Sequence, residues 1–117
     1  MTPRALHHVA IAVRDLEEAA EFYTGKLGLT RRTDRPSSLP PGIWLDLGGQ
    51  QVHLLPAEPP EARGQHLAIL VDELDATIVK LRADGIEVTD PILIGTSRQS
   101  FLVDPSGNQL ELHETGR

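Results

Sequence analysis

The chain repeats itself once. Slid by 58 positions, His8-Val9-Ala10-Ile11-Ala12-Val13-Arg14-Asp15-Leu16-Glu17 falls on His66-Leu67-Ala68-Ile69-Leu70-Val71-Asp72-Glu73-Leu74-Asp75. The same shift places Asp46-Leu47-Gly48-Gly49-Gln50-Gln51-Val52-His53-Leu54 on Asp104-Pro105-Ser106-Gly107-Asn108-Gln109-Leu110-Glu111-Leu112. Between them Gly28-Leu29 matches Gly85-Ile86 one position short of that shift, so a small indel lies inside the repeat. Two copies are too few for a solenoid, and a paired pseudo-twofold arrangement is expected instead. The copies span 4–56 and 64–114, joined by a linker at 57–63 within the Pro- and charge-rich stretch Pro56 to Gly64. With 117 residues in all, the two copies together make one domain, 1–117.

Each copy reads as strand, helix, then two or three strands. From Leu6 to Val13 residues alternate, with His7, Val9, Ile11 and Val13 on one face and His8, Ala10 and Ala12 on the other. Asp15 stands as an N-cap with Glu18 three residues on, the spacing of a capping box, and the helix runs over about 16–26. Gly28 closes it as a C-cap. In the second copy Asp72 or Glu73 opens a helix with Leu74, Ile78 and Leu81 as its apolar stripe, ended by Gly85. Ile43–Leu47 and Gln51–Leu55 form a hairpin across Gly48-Gly49, and Ser100–Val103 and Gln109–His113 form another across Asp104-Pro105-Ser106-Gly107-Asn108. The fold class expected is α+β: two βαβββ modules whose antiparallel sheets curve around a shared metal cavity.

Composition limits the chemistry. There is no Cys, which excludes disulfides, thiol nucleophiles and Cys-based metal sites, so any metal must sit on His and carboxylate. A net charge of −6 argues against a nucleic-acid backbone as partner, and four aromatics leave little on which to stack bases. The longest clearly hydrophobic run is Leu67-Ala68-Ile69-Leu70-Val71, far short of the ~20 residues of a membrane span. Met1-Thr2-Pro3-Arg4 is followed by no apolar signal-peptide region, and a cytoplasmic location is expected.

Alternation also selects a polar set. His8 lies opposite the Val9/Ile11/Val13 row and His66 opposite the Leu67/Ile69/Val71 row. On the last strands His53 opposes Val52 and Leu54, while Glu111 opposes Leu110 and Leu112. Position 8 maps onto 66 and 53 onto 111, and each His8/His53 and His66/Glu111 pair is 45 residues apart. If helices cover the apolar rows, a pseudo-twofold axis brings these four side chains around one point. Three neutral imidazoles and a carboxylate suit Zn, Ni, Co, Mn or Fe(II). On a six-coordinate ion they leave two positions for a substrate to chelate, and the ion can then stabilise an enolate or oxyanion as a Lewis acid. The plain alternative for any one of them is a surface or core histidine.

The chain resembles the vicinal oxygen chelate superfamily, the glyoxalase / bleomycin-resistance / extradiol-dioxygenase group, over nearly all its length. The resemblance is carried by Leu6-His7-His8-Val9-Ala10-Ile11-Ala12-Val13 with Asp15-Leu16 and Phe22-Tyr23, by Gly64-Gln65-His66-Leu67-Ala68, and most specifically by Asp104-Pro105-Ser106-Gly107-Asn108-Gln109-Leu110-Glu111-Leu112. It implies metal ligands on the first and last strand of each module, at His8, His53, His66 and Glu111. It also implies a small-molecule substrate, no organic cofactor and a homodimer, in some members with metal sites shared across the interface. Glyoxalase I-like lyases use four ligands, typically with Glu at the second, and there this chain departs from their pattern with His53. An extradiol-type His-His-Glu set would be His8, His66 and Glu111, with His53 beside it as an acid/base. That same set is shared by thiol transferases of the group. Epimerase-like members move a proton beside a chelated carbonyl, a task Glu111 suits.

The leading expectation is a metal-dependent lyase, isomerase or epimerase with Glu111 as its base. An Fe(II) dioxygenase or a thiol transferase is the enzymatic alternative, and a metal-free drug-sequestering protein the alternative of another class. Pairing Leu102 with Glu111 would set Arg98 on the same face, as an anion clamp or as a solvated edge residue. Trp44 is placed equivalent to Leu102, walling the pocket beside His53 or packing in the core. His113 shares the parity of Glu111, as a supporting group or an exposed terminal one. His7, on core-facing parity, serves as internal control for the ligand set. The loop Thr30–Gly42, with Arg31, Arg32 and Arg35, is either a lid that admits an anionic substrate or a mobile connector.

Overall fold

The computed structural model describes residues 1–116. The chain divides after Pro60 into two compact units. The first contains β1 (His8–Val13), α1 (Leu16–Glu21), β2 (Thr30–Arg31), β3 (Ile43–Leu47) and β4 (Gln50–Pro56). The second contains β5 (Leu67–Leu70), α2 (Leu74–Ala83), β6 (Ile92–Ile94), β7 (Ser97–Val103) and β8 (Gln109–Glu114). Each unit is thus a βαβββ module, and the fold is α+β.

Both sheets follow one plan. The first has the order β1-β4-β3-β2 and the second β5-β8-β7-β6. The expectation of antiparallel sheets needs correction: β1 runs parallel to β4 and β5 parallel to β8, while the other pairs are antiparallel. In each module two reversals after the helix bring the last strand back to the direction of the first. The sheets are therefore mixed: the helix carries the chain from one edge strand to the other, and the last strand returns beside the first.

In the first module Asp15 caps α1, its Oδ1 accepting the Glu18 amide at 2.9 Å. Past Glu21 the helix widens into a π turn, Phe22–Lys26, before Gly28 reverses the chain at φ 79°. α1 packs on β4, and Ala19, Ala20 and Tyr23 are buried together with Val13, Ile43, Leu45, Val52 and Leu54. Cross-strand register puts Leu45, Val52 and Val9 in one row and Ile43, Leu54 and Ile11 in the next, which fixes the apolar face. The opposite face carries Trp44, His53 and Ala10 in one row and Asp46, Gln51 and His8 in the adjacent one.

The second module repeats this with one substitution of means. Glu73 sits at the N-cap of α2 without capping it. Glu114, at the end of β8, does so instead, its Oε2 accepting the Leu74 amide at 2.8 Å. The tight connection after β7 is organised by buried Asp104, whose Oδ1 accepts the amides of Ser106 and Asn108 and whose Oδ2 accepts Asn108 Nδ2, each at 2.9 Å. Gly107, at φ 86°, supplies the left-handed residue this turn needs. No helix among the described residues is long and apolar enough to cross a membrane.

Candidate functional site

The first module sets two imidazoles face to face. His8 opens β1 and His53 lies on β4, one row further along the face opposite α1. Their rings stack with centroids 3.9 Å apart and an interplanar angle of 12°. Ala10, directly beside His53 in the ladder, is small enough to leave that face open. Trp44, across from His53 on β3, stacks on its other side at 4.9 Å and 16°. His53 Nε2 donates to Gln51 Oε1 at 2.8 Å, two residues away on the same face. Burial, then the neighbouring His8 and His7 rings and the cations Arg35 and Arg32, hold His53 below the usual histidine range. It is therefore a neutral ring with a lone pair to offer.

The second module places a carboxylate where the first has His53. Glu111 on β8 is buried, beside Ala68 on β5 and across from Phe101 on β7. His66, the residue before β5, points Nε2 at Glu111 Oε1 at 3.0 Å and Nδ1 at the Gly64 carbonyl at 2.8 Å. Both contacts are with oxygens that accept, an arrangement that favours the protonated ring. Accordingly the Gly64 carbonyl first, and then Glu111, raise the His66 pKa. The second oxygen of Glu111 accepts from His113 Nδ1 at 3.0 Å. Phe101 meets the His66 ring edge-on at 5.6 Å.

These donors fit a divalent ion by their chemistry. His66 Nε2 and Glu111 Oε1 are 3.0 Å apart, an ordinary hydrogen-bond distance that sets an imidazole nitrogen beside a carboxylate oxygen. The carbonyl on Nδ1 is the usual partner that turns the other imidazole nitrogen toward an ion. The structure thus brings His8 together with His53, and His66 with Glu111. Among the described residues no group of three or more potential ligands is gathered.

Three expectations change. Glu111 faces Phe101, not Leu102, and Trp44 faces His53, so Phe101 is the counterpart of Trp44. The cause is turn length: two residues separate the paired ends Leu47 and Gln50, but five separate Val103 and Gln109. A one-residue change of register moves every side chain to the other face. Arg98 consequently lies across from Glu114, on the face opposite Glu111. There its guanidinium grips Asp75 with two bonds of 3.1 Å and Glu114 with bonds of 3.1 and 2.9 Å. It ties α2 to the sheet and is not placed to clamp a substrate. His7, finally, precedes β1, is exposed, and meets His8 through the two Nδ1 atoms at 2.9 Å. It is not a core residue and is too close to His8 to serve as a control.

Sequence reasoning undervalued Gln51 and His113, although both carry a signal: each is two residues from a candidate ligand on the same strand face. The Gly64 carbonyl and Arg35 have no such signal, because loop geometry places them.

Two βαβββ modules carry imidazole and carboxylate side chains at repeat-equivalent positions. The family model of the Glyoxalase/Bleomycin resistance protein/Dioxygenase superfamily matches residues 5–112. The chain belongs to this superfamily. An uncharacterized protein of Escherichia coli (strain K12), YaeR, is 33% identical, with 95% of this chain and 96% of that one covered. A 2-epi-5-epi-valiolone epimerase of an Actinomyces species is 32% identical over 92% of this chain and 78% of its own. Among solved structures, a Bacillus anthracis protein assigned to the glyoxalase family superposes with a TM-score of 0.88, at 28% identity and 98% coverage of both chains.

Proposed function

We propose that this superfamily member is a divalent-metal-dependent enzyme of proton transfer, a lyase, isomerase or epimerase acting on a small oxygenated substrate. Its ligands are His8, His53, His66 and Glu111. The observation that carries the proposal is the His66–Glu111 pair, an imidazole oriented by the Gly64 carbonyl beside a buried carboxylate. When bound, the ion supplies Lewis-acid stabilisation of a developing oxyanion.

The chain's own residues supply the rest. The Glu111 carboxylate is the group to take a proton from carbon beside the substrate carbonyl and to return it. His113 holds Oε2 and so fixes the plane of that carboxylate. Trp44 forms an apolar wall beside His53 against which the substrate skeleton can lie. The epimerase among the relatives supports proton transfer as the reaction class.

The test is exchange of substrate α-protons for deuterium by metal-loaded protein, using a panel of small α-hydroxy and α-oxo compounds. Exchange that disappears in Glu111→Gln is expected; exchange equal in the two proteins contradicts the proposal. A second reading rests on the bond from His53 Nε2 to Gln51, which engages one of that ring's nitrogens. His8, His66 and Glu111 would then hold Fe(II), with His53 as an acid/base for dioxygen chemistry. Catechol-dependent oxygen uptake by iron-reconstituted protein would favour it.

A further inference from the structure

Three arginines enter the loop between β2 and β3, and they differ in what they meet. Arg31 grips Glu17 with two bonds, of 2.9 and 3.1 Å. Arg32 bonds Asp34 at 3.0 and 2.7 Å and Asp46 at 2.8 Å. Arg35 is different: its Nη2 donates to the Pro40 carbonyl at 2.6 Å, and its Cζ lies 5.7 Å from the centre of the Trp44 ring. Its Nε is buried and has no hydrogen-bond partner. A guanidinium has five donors in a planar fork and keeps its charge at any physiological pH. Nε is enclosed, so what Arg35 offers a ligand is its charge, which no carboxylate among the described residues pairs.

The surroundings hold it in that position. Gly42 leaves the space the guanidinium fills, since a Cβ there would stand 2.6 Å from Nη2 and 3.0 Å from Cζ. The stack then continues inward: Arg35 over Trp44, Trp44 on His53 at 4.9 Å, His53 on His8 at 3.9 Å. All four belong to the first module. One end of the column is a cation with no carboxylate, and the other is the pair of candidate ligands.

We infer that Arg35 is a substrate-binding residue, and that the substrate bears a carboxylate which Arg35 receives at the outer edge of Trp44 while its chelating oxygens lie at His8 and His53. A carboxylate matches a single guanidinium in charge and in planar geometry. The inference names the substrate class for the metal-enzyme reading and rests on it for what the anion belongs to. Binding of the anion itself can be measured without metal.

Trp44 is the sole tryptophan of the chain, so its fluorescence reports on this column alone. Metal-free protein is titrated at pH 7 and constant ionic strength with glutarate, with the uncharged glutaramide, and with inorganic phosphate. A saturable change with glutarate and none with glutaramide is expected. Arg35→Met should weaken glutarate binding by at least about tenfold, the scale of one charge-assisted bond. Arg35→Lys, which keeps the charge, should recover much of it, and a melting temperature like that of the wild type shows that the variants are folded. An equal titration in wild type and Arg35→Met overturns the inference, as does no saturable response in wild type. Phosphate binding more tightly than glutarate overturns the carboxylate assignment. Failure of the metal-enzyme reading would appear separately, as absence of bound metal on elemental analysis.

Discussion

His66 is held between two acceptors, and that makes its proton a competitor for any ion. Its pKa is raised, chiefly by the Gly64 carbonyl and then by Glu111. A raised pKa means that the charged ring adds stability at pH values below the unfolded histidine range, a contribution lost as the pH rises through the folded value. A ligating imidazole must be neutral, so metal binding has to expel the proton on Nε2. Affinity for a divalent ion should therefore fall as the pH drops below the His66 pKa. Calorimetric titration with Zn²⁺ near pH 6, in buffers of different ionisation heat, should show proton release that His66→Gln abolishes. Another residue-scale prediction concerns Ser100, fully buried on β7 with an Oγ that has no partner. An unsatisfied buried hydroxyl costs on the order of 1 kcal/mol. Ser100→Ala should stabilise the protein by about that much in urea unfolding, provided the small cavity is absorbed.

Elements are held by contacts that differ between the copies, and here the repeat is an imperfect guide. Asp15 caps α1 from the adjacent position, so that helix start is legible in the local sequence. The equivalent Glu73 does not cap α2, and Glu114 reaches across from β8 to do so, which only the folded chain can specify. The Leu74 amide first, and then Arg98, depress the Glu114 carboxyl below its ordinary 4.5. Its contribution is present above that value and is lost as the pH falls through the lowered folded value. Wild type should accordingly lose more of its melting temperature between about pH 5 and about pH 3 than Glu114→Gln does. Asp104 holds its turn with three hydrogen bonds from within the connection. Asp104→Ala should cost about 2–3 kcal/mol in urea unfolding by leaving two amides without their acceptor.

Alternation placed His8, Ala10 and His53 on the face opposite the apolar rows because period 2 is a local property of strands. Strand register is not local. It depends on how many residues a turn consumes, and the difference between two and five residues carried Arg98 to the opposite face and put Phe101 across from Glu111. The parallel pairing of β1 with β4 was equally hidden, since alternation is blind to strand direction.

At the scale of the whole molecule, duplication sets the organisation. Each module presents one pair of candidate ligands at repeat-equivalent positions, and the modules differ at one member, His53 against Glu111. The difference has chemical consequences: the first module carries two imidazoles flanked by Trp44 and Arg35, and the second carries a carboxylate bonded by two imidazoles. On the proposed function the two copies would have separate tasks, binding and orientation in one and proton transfer in the other. Elemental analysis of the purified protein and its variants tests the central claim most directly. About one divalent ion per chain is predicted, retained in Arg98→Met and lost or much reduced in His8→Ala, His66→Ala and Glu111→Ala. Metal-free wild-type protein after reconstitution with Zn²⁺, Ni²⁺, Co²⁺, Mn²⁺ or Fe²⁺, or equal metal content in all the variants, would contradict it.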